Sequence, residues 1–427
     1  MSQPSDARVA LVAIGDELLA GKHTDLNSPW MAEQLLDLDL AVDRIVVAND
    51  DLEELSEVFR GLCERYEFVF SSGGLGPTLD DVTRHAAADA GGVKLVRDEA
   101  VLEGLRAWFE ARGHPMVAAN ERQALFPEAA TVIENRVGTA PGFRVQTANA
   151  WLICLPGPPR ELQVLFTEEV LPWLRQIARS DASRVAKHAF HLFGLSESLF
   201  AEQVGGWMDR PQNPLMSVTV SAGVLTTVLR ARGSTIAEAQ SVLEPRVTEF
   251  RDRFSKQTFS EESGDLAAVL GQELLRARKT FTVAESCTGG LVAARLTEQA
   301  GISAAFTHGF VTYANEAKHQ LLGVPQELLA AHGAVSSEVA IAMASGAREK
   351  SGADLAVAIT GIAGPGGGST EKPVGTVWFG LATAAGTRAV VRHFPSLGRN
   401  WVRTLATQTA LNLALRSIRG EGLADLD

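Results

Sequence analysis

Short apolar runs alternate with stretches of helical periodicity through most of this chain. Residues 8–14 form a continuous apolar run of the kind found in strands buried on both faces of a parallel sheet. A helix is predicted over 28–37, with Pro29 in its first turn. A strand over 40–47, a helix over 51–65 and a strand over 67–71 follow. A further helix over 83–90 ends at Gly91-Gly92. A strand over 151–155 then runs into a proline-rich turn, and a helix begins at Glu161. Strands and helices in this alternation predict a doubly wound sheet.

The pattern changes near 177–186. Residues 187–254 read β-α-β-β-α, with strands over 216–220 and 224–230 joined by a hairpin-like Ser221-Ala222-Gly223. Residues 255–265 are polar and loop-like. The α/β order then resumes with a helix over 266–278, a strand over 280–284, a helix over 290–299, a strand over 305–313 and a helix over 315–322. A helix over 336–350 is capped by Ser336 or Ser337, strands lie over 355–360 and 375–381, and a helix over 401–416 closes the pattern. The expected fold class is α/β, with two doubly wound α/β domains over 1–176 and 263–427 joined by a small α+β domain over 177–262.

A length of 427 residues fits two or three such domains. The net charge of −12 argues against direct nucleic-acid binding through the overall field. Three cysteines without a CxxC pair suit a reducing, cytoplasmic setting rather than a disulfide framework or a zinc finger. The first apolar run has no positive stretch before it and is broken by Gly15-Asp16-Glu17, so it reads as a strand and not as a signal peptide. No run approaches the roughly 20 apolar residues that span a bilayer, and no membrane role is expected.

Two glycine loops stand where a strand hands over to a helix, the position at which open α/β sheets bind ligands. In the first, residues 71–81, Gly73, Gly74 and Gly76 let a phosphate approach the backbone, with the hydroxyls of Thr78 and Thr83 nearby. Carboxylates at Asp16-Glu17 and Asp80-Asp81 suit a divalent cation such as magnesium, although Asp80 or Asp81 could simply cap the next helix. Arg160 is either a phosphate partner or a solvated first-turn residue. Asn120, Glu121 and Arg122 are as readily surface-loop residues as ligands.

The second loop, residues 284–290, offers three nucleophiles. Cys287 has the best intrinsic reactivity but needs a lowered pKa and a histidine, and a small buried thiol is the commoner reading. Ser286 needs a base, which Lys318 supplies if burial depresses its pKa. Thr288 suits a cap. Tyr313, at a strand end, and Lys318, on the next helical turn, could converge on one pocket. Thr360 opens a second glycine-rich loop whose N–H groups begin at Gly361, so it could donate to a phosphate or bond its own turn. Arg399 is a phosphate clamp or a plain helix-start arginine.

Ordered motifs then point to a family. GDELLAG, SSGGLGPTLDDVTR, AGGV, NERQALFPEAATVIEN, VGTAPGF and LPGPPREL, spread over about 9–171, resemble the amino-terminal domain of the competence/damage-inducible CinA family. That domain is similar to the molybdopterin-binding fold. The resemblance implies a metal-dependent ADP-ribose pyrophosphatase giving AMP and ribose 5-phosphate. Glu17, Asp80 and Asp81 would hold the metal and the glycine loop would cradle the diphosphate.

TVAESCTGGLVAARLT, GISAAFTHGFVTYANEAKHQLLGV, HGAVSSEVA, AITGIAGPGGG and EKPVGTVW, within about 266–415, resemble the carboxy-terminal CinA domain. This implies a nicotinamide-mononucleotide (NMN) deamidase that needs no metal. The matching positions are Ser286, Ser303, Tyr313, Lys318 and Thr360, with an arginine near Arg399. Ser286 and Ser303 compete as nucleophile, Lys318 is the base, and Tyr313 is a proton relay or donor. Thr360 and Arg399 would hold the 5′-phosphate, and the N–H groups of Thr288, Gly289 and Gly290 would suit an oxyanion or a phosphate.

The chain departs from the family at Gly398-Arg399-Asn400, where Gly-Asp-Arg is usual, so the arginine comes one place early and the acid is missing. The family's middle domain is KH-like, yet 187–254 has no GxxG clamp with basic flanks, and RNA binding is not expected. The resemblance also implies a homodimer. Alternative readings are a molybdopterin- or adenylyl-handling protein and a non-catalytic partner in competence or recombination.

Overall fold

The computed structural model describes residues 7–177 and 184–421. The chain divides into two compact units, Met1–Val185 with Arg232–Ala239, and Ala186–Ala231 with Gln240–Asp427. The boundary expected near 177–186 falls largely outside the described residues.

The first unit is built on a six-stranded sheet. Its strands are β1 (Val9–Ile14), β2 (Val42–Ala48), β3 (Phe68–Ser72), β6 (Thr131–Ile133), β7 (Gly142–Gln146) and β8 (Trp151–Leu155), in the order β2-β1-β3-β8-β7-β6. A separate ribbon pairs β4 (Leu95–Arg97) with β5 (Leu125–Pro127). Strands β1, β2, β3 and β8 are mutually parallel. Strands β6 and β7 are antiparallel additions that the alternating pattern did not reveal. The sheet is therefore doubly wound but mixed.

Period-two alternation divides β1 between two cores. Ala10, Val12 and Ile14 join one cluster with Phe59 and Phe143. Val9 and Leu11 join the opposite one with Met31, Phe70 and Phe166. Each large side chain buried in this way contributes about 1.5–3 kcal/mol before conformational entropy is counted.

The helix signals work as the sequence suggests. Asp51 caps helix Leu52–Cys63 by accepting from the Glu54 N–H at 3.0 Å. Helix Thr83–Gly91 stops at Gly92, whose φ of 63° is left-handed.

In the second unit, β9 (Arg184–Phe193), β10 (Leu215–Ser221), β11 (Val224–Gly233) and β12 (Thr258–Ser260) form a sheet in the order β10-β11-β9-β12. The hairpin turns on Ala222 and Gly223, both at positive φ, the geometry that matches strand twist. Phe190, Phe200, Phe250 and Phe254 make an aromatic core beneath it.

Strands β13 (Phe281–Glu285), β14 (Phe306–Val311), β15 (Leu355–Gly361), β16 (Thr376–Thr383) and β17 (Gly386–His393) form a second mixed sheet in the order β14-β13-β15-β16-β17. The first three are parallel and the last two antiparallel. One face is covered by helices Leu266–Ala277, Leu291–Thr297 and Arg399–Ile418. The other is covered by Asn315–Leu322, Gln326–His332 and Ser337–Ser351. Phe193, Val224 and Phe259 join the first of these cores, so the small sheet packs onto the last region. No helix among the described residues is long and apolar enough to cross a membrane.

Candidate active sites at two sheet edges

In the first unit the carboxyl ends of β1, β3 and β8 open into a cleft of about 380 Å³, lined among others by Glu17, Asp50, Gly73, Gly74, Asp80 and Gly157. Gly73 and Gly74 have φ of 111° and 64°, and a Cβ on either would strike Ile14 O or the Thr83 hydroxyl. Thr83 fastens the loop from below, its Oγ1 donating to Gly73 O at 2.9 Å.

Asp81, expected as a metal ligand, lines the same cleft and is also bound into the glycine loop. Its carboxylate accepts from the Gly76 N–H at 2.7 Å, the Thr78 N–H at 2.8 Å and the Thr78 hydroxyl. These bonds hold the loop shut from within, so the Gly76 N–H and the Thr78 hydroxyl are directed at Asp81 and away from a phosphate. Arg160 is exposed and lies outside the cleft lining, while its neighbour Glu161 lines it and accepts from Asn135 Nδ2 at 2.6 Å. Asn120 is buried and donates to Gln123 Oε1 at 3.0 Å, a contact internal to the fold.

Asp50 was not anticipated. Burial raises its pKa above the ordinary carboxylate range, and the nearby carboxylates of Asp16, Glu17 and Asp80 push the same way. The Asp16 N–H, donating to Asp50 Oδ2 at 3.0 Å, pulls back. The carboxylates lining the cleft are those of Glu17, Asp50, Asp80, Asp81 and Glu161, and a divalent cation would offset their mutual repulsion. Among the described residues no three His, Cys, Asp or Glu side chains are already grouped to hold a metal ion. Substrate oxygens would have to complete its coordination.

The second unit brings Ser286 and Lys318 together. Ser286 follows the end of β13, and Lys318 lies on helix Asn315–Leu322, which follows β14. Lys318 is 1% exposed. Its Nζ donates to Ser286 Oγ at 3.1 Å, Thr312 O at 2.8 Å and Tyr313 O at 3.3 Å. Burial lowers its pKa from the ordinary lysine value, with the Cys287 thiol opposing. An amine in that state can serve a serine as base.

The other candidates separate. Ser303 sits in the turn Ile302–Ala304 before β14, exposed, at the opposite end of that strand from the Ser286 turn. Within one chain it is not part of this pair. Burial pushes the Cys287 thiol up to about 11, and that thiol is inert at neutral pH. Thr360 donates its hydroxyl to Ala334 O at 2.7 Å, bonding its own fold. Tyr313 is 61% exposed, and its hydroxyl accepts from Arg399 Nη2 at 2.6 Å. The Nη1 of Arg399 reaches Gly364 O at 2.7 Å in the glycine-rich loop beyond Gly361.

The Gly290 N–H is directed at the Glu285 carboxylate at 2.9 Å and the Gly289 N–H at Ser286 O at 3.1 Å. Of the three expected anion donors, Thr288 alone has an N–H used by no hydrogen bond among the described residues. Glu285 and Arg403, both close on this turn, were missed. A carboxylate beside a serine reads as a solvated turn residue, and an arginine in a final helix reads as surface.

Three family models match the chain. One described as the CinA C-terminal domain covers residues 263–418. One described as a probable molybdopterin binding domain covers 10–176, and one described as the damage-inducible protein CinA KH domain covers 187–260. A CinA-like protein of Geobacter sulfurreducens is 41% identical over 413 residues, 96% of this chain and 99% of the relative. A putative competence-damage inducible protein of Symbiobacterium thermophilum is 42% identical over 373 residues, 87% of this chain and 88% of the relative. Among solved structures, the competence/damage inducible protein CihA from Agrobacterium tumefaciens is 44% identical, covering 36% of this chain and 93% of its own, with a TM-score of 0.35.

Proposed function

This chain belongs to the CinA family, and from that premise we propose that its carboxy-terminal region deamidates nicotinamide mononucleotide. The contact of buried Lys318 Nζ with Ser286 Oγ at 3.1 Å carries the reading. Lys318 takes the hydroxyl proton as Oγ attacks the carboxamide carbon. The N–H of Thr288 is suited to the oxyanion that forms. Collapse of that intermediate breaks the C–N bond. The amine leaves as ammonia with the proton held on Lys318, and a nicotinoyl ester remains on Ser286. Water, deprotonated by Lys318, then releases nicotinate mononucleotide and restores the hydroxyl. Arg399 suits the 5′-phosphate, together with the N–H groups of the loop at 364–368.

Ammonia release from NMN tests this directly. Ser286→Ala and Lys318→Ala should lose at least about 10²-fold in rate, and Ser303→Ala should stay near wild type. Full activity in Ser286→Ala would remove the mechanism.

For the amino-terminal region the reading is cleavage of ADP-ribose to AMP and ribose 5-phosphate. The gathering of acidic side chains around the glycine loop in one cleft supports it, with Asp50 raised first by burial and then by its acidic neighbours. A divalent cation held by Glu17, Asp50 and Asp80 would polarise a phosphoryl oxygen and activate water. The N–H of Gly74, used by no hydrogen bond among the described residues, is open to the diphosphate, whereas that of Gly73 donates to Leu155 O at 3.1 Å. AMP release without added magnesium would sink this assignment, and molybdopterin binding without ADP-ribose turnover would replace it with a pterin-handling one.

A further inference from the structure

Two side chains that the proposed deamidation does not use hold the turn carrying Ser286. Glu285, the last residue of β13, is fully buried. Its carboxylate reaches forward and accepts from the N–H groups of Gly290 at 2.9 Å, Val292 at 3.2 Å and Ala293 at 2.9 Å. Those are the donors that helix Leu291–Thr297 leaves unpaired at its start, so Glu285 caps the helix from the strand side. Arg403 approaches from helix Arg399–Ile418. Its Nε donates to Cys287 O at 3.2 Å and its Nη2 to Thr288 O at 2.8 Å.

The turn between them is strained toward glycine. Gly289 and Gly290 have φ of 64° and 98°, in the left-handed region. Two successive glycines also give the unbraced backbone many alternative paths. The Ser286 backbone is held by two hydrogen bonds, its N–H donating to Ile359 O at 3.0 Å and its carbonyl accepting from the Gly289 N–H at 3.1 Å, and the second lies within the glycine turn itself. The register of its hydroxyl therefore depends on what holds the residues after it.

We propose that Glu285 and Arg403 are a pair of positioning residues, a carboxylate on the N–H side of the turn and a guanidinium on its carbonyl side, which together hold Ser286 Oγ against Lys318. Both act on the backbone of the turn and not on the serine hydroxyl. The pair also directs substrate binding. With the helix start filled by Glu285, the phosphate is left to Arg399, which lies one helical turn before Arg403 on the same helix.

The activity readout of this inference rests on the deamidase reading, and a second readout does not. In the full chain, Glu285→Gln and Arg403→Met should lower kcat for NMN by about 10- to 100-fold, the scale of an ångström-level misplacement, with KM changed by less than about threefold. Arg403→Lys, which keeps the charge and loses the fork, should recover part of the rate. A kcat within twofold of wild type in both Glu285→Gln and Arg403→Met overturns the pairing, as does a raised KM at constant kcat. If the wild-type chain releases no ammonia from NMN, the deamidase reading fails by itself. The brace is then decided by crystal structures of Glu285→Gln and Arg403→Lys. Separation of Ser286 Oγ from Lys318 Nζ beyond hydrogen-bond reach, to about 3.6 Å or more, supports it, and an unchanged contact in both overturns it.

Discussion

Arg399 Nη2 donates to the Tyr313 hydroxyl at 2.6 Å, joining the first turn of the last helix to the segment after β14. The arginine comes one position earlier than in the family pattern, yet it reaches this phenol and Gly364 O together. The acid that the family pattern places before its arginine is missing, which leaves Arg399 anchored by neutral acceptors. A guanidinium without a carboxylate partner keeps its charge available to a phosphate. Arg399→Ala should raise KM for NMN by roughly 10- to 100-fold, the loss of one charge-assisted contact worth about 1.5–3 kcal/mol, with a smaller change in kcat. Tyr313→Phe removes only the orienting partner, and a few-fold rise in KM is expected. Initial-rate kinetics on NMN and on free nicotinamide riboside separate the two effects, because the riboside lacks the phosphate. An equal loss on both substrates would take Arg399 out of phosphate binding.

The lowered pKa of Lys318 sets the direction of the pH dependence. Burial disfavours the ammonium, so the neutral amine becomes populated below the ordinary lysine value of 10.5. The rate of serine attack should rise with pH as Lys318 loses its proton and level off above its lowered pKa. Stability follows the same sign. Between the folded and the ordinary value the unfolded chain binds more protons, so unfolding free energy rises with pH across that window. The Lys318→Met chain should lack both the rising limb of activity and this part of the stability slope. A pH–rate profile and unfolding curves at several pH values check the two statements. A wild-type rate that falls with rising pH would contradict the base role.

Cys287 stands next to Ser286 and carries the more reactive atom, yet its surroundings disable it. Its thiol is buried and pushed up to about 11, so the thiol form dominates at neutral pH. Iodoacetamide at neutral pH should label the folded chain at this position very slowly and leave ammonia release intact. Cys287→Ala should keep kcat within a few-fold of wild type and cost about 1 kcal/mol of stability for the lost packing, read from denaturant unfolding. Rapid inactivation by the alkylating agent, with Cys287 as the labelled residue in the mass spectrum, would reverse this conclusion.

What the sequence made legible follows the physics of each signal. The strand ends carrying Ser286 and Thr360 were placed because apolar runs closed by glycine are local patterns, whereas the strand expected to reach Tyr313 stops at Val311. The convergence of Ser286 and Lys318 follows from parallel neighbours β13 and β14, which deliver their carboxyl ends to one edge. Strands β6, β7 and β17 were not visible, since short or partly exposed antiparallel additions carry little periodic signal. Asp50 was hidden in the run Asn49-Asp50-Asp51, where a helix cap was the natural reading and Asp51 does cap. Its meeting with Asp16 is made by sheet pairing across 34 residues, a distance that local patterns do not encode.

That pairing separates two roles for acids in the first cleft. Asp81 clamps the glycine loop, and Asp50 is the group raised by burial and by its acidic neighbours. Asp81→Asn should slow AMP release from ADP-ribose at every magnesium concentration, because an amide cannot accept from both the Gly76 and Thr78 N–H groups with the same atoms. The magnesium concentration giving half-maximal rate should barely move. Asp50→Asn should do the reverse, raising that concentration at least about tenfold, one ligand's share of a site completed by substrate. The stability signs also differ. A carboxyl whose folded pKa is raised stabilises the chain at pH below its unfolded value, and that contribution is lost as pH climbs through the folded value. At neutral pH without metal, Asp50→Asn should therefore raise Tm, and at pH near 3 it should not. Asp81→Asn should lower Tm at neutral pH, because it removes a clamp from the loop. Magnesium titrations of rate, combined with melting curves at the two pH values, test the assignment. A shift of the half-maximal magnesium concentration in Asp81→Asn, with none in Asp50→Asn, would return Asp81 to the metal.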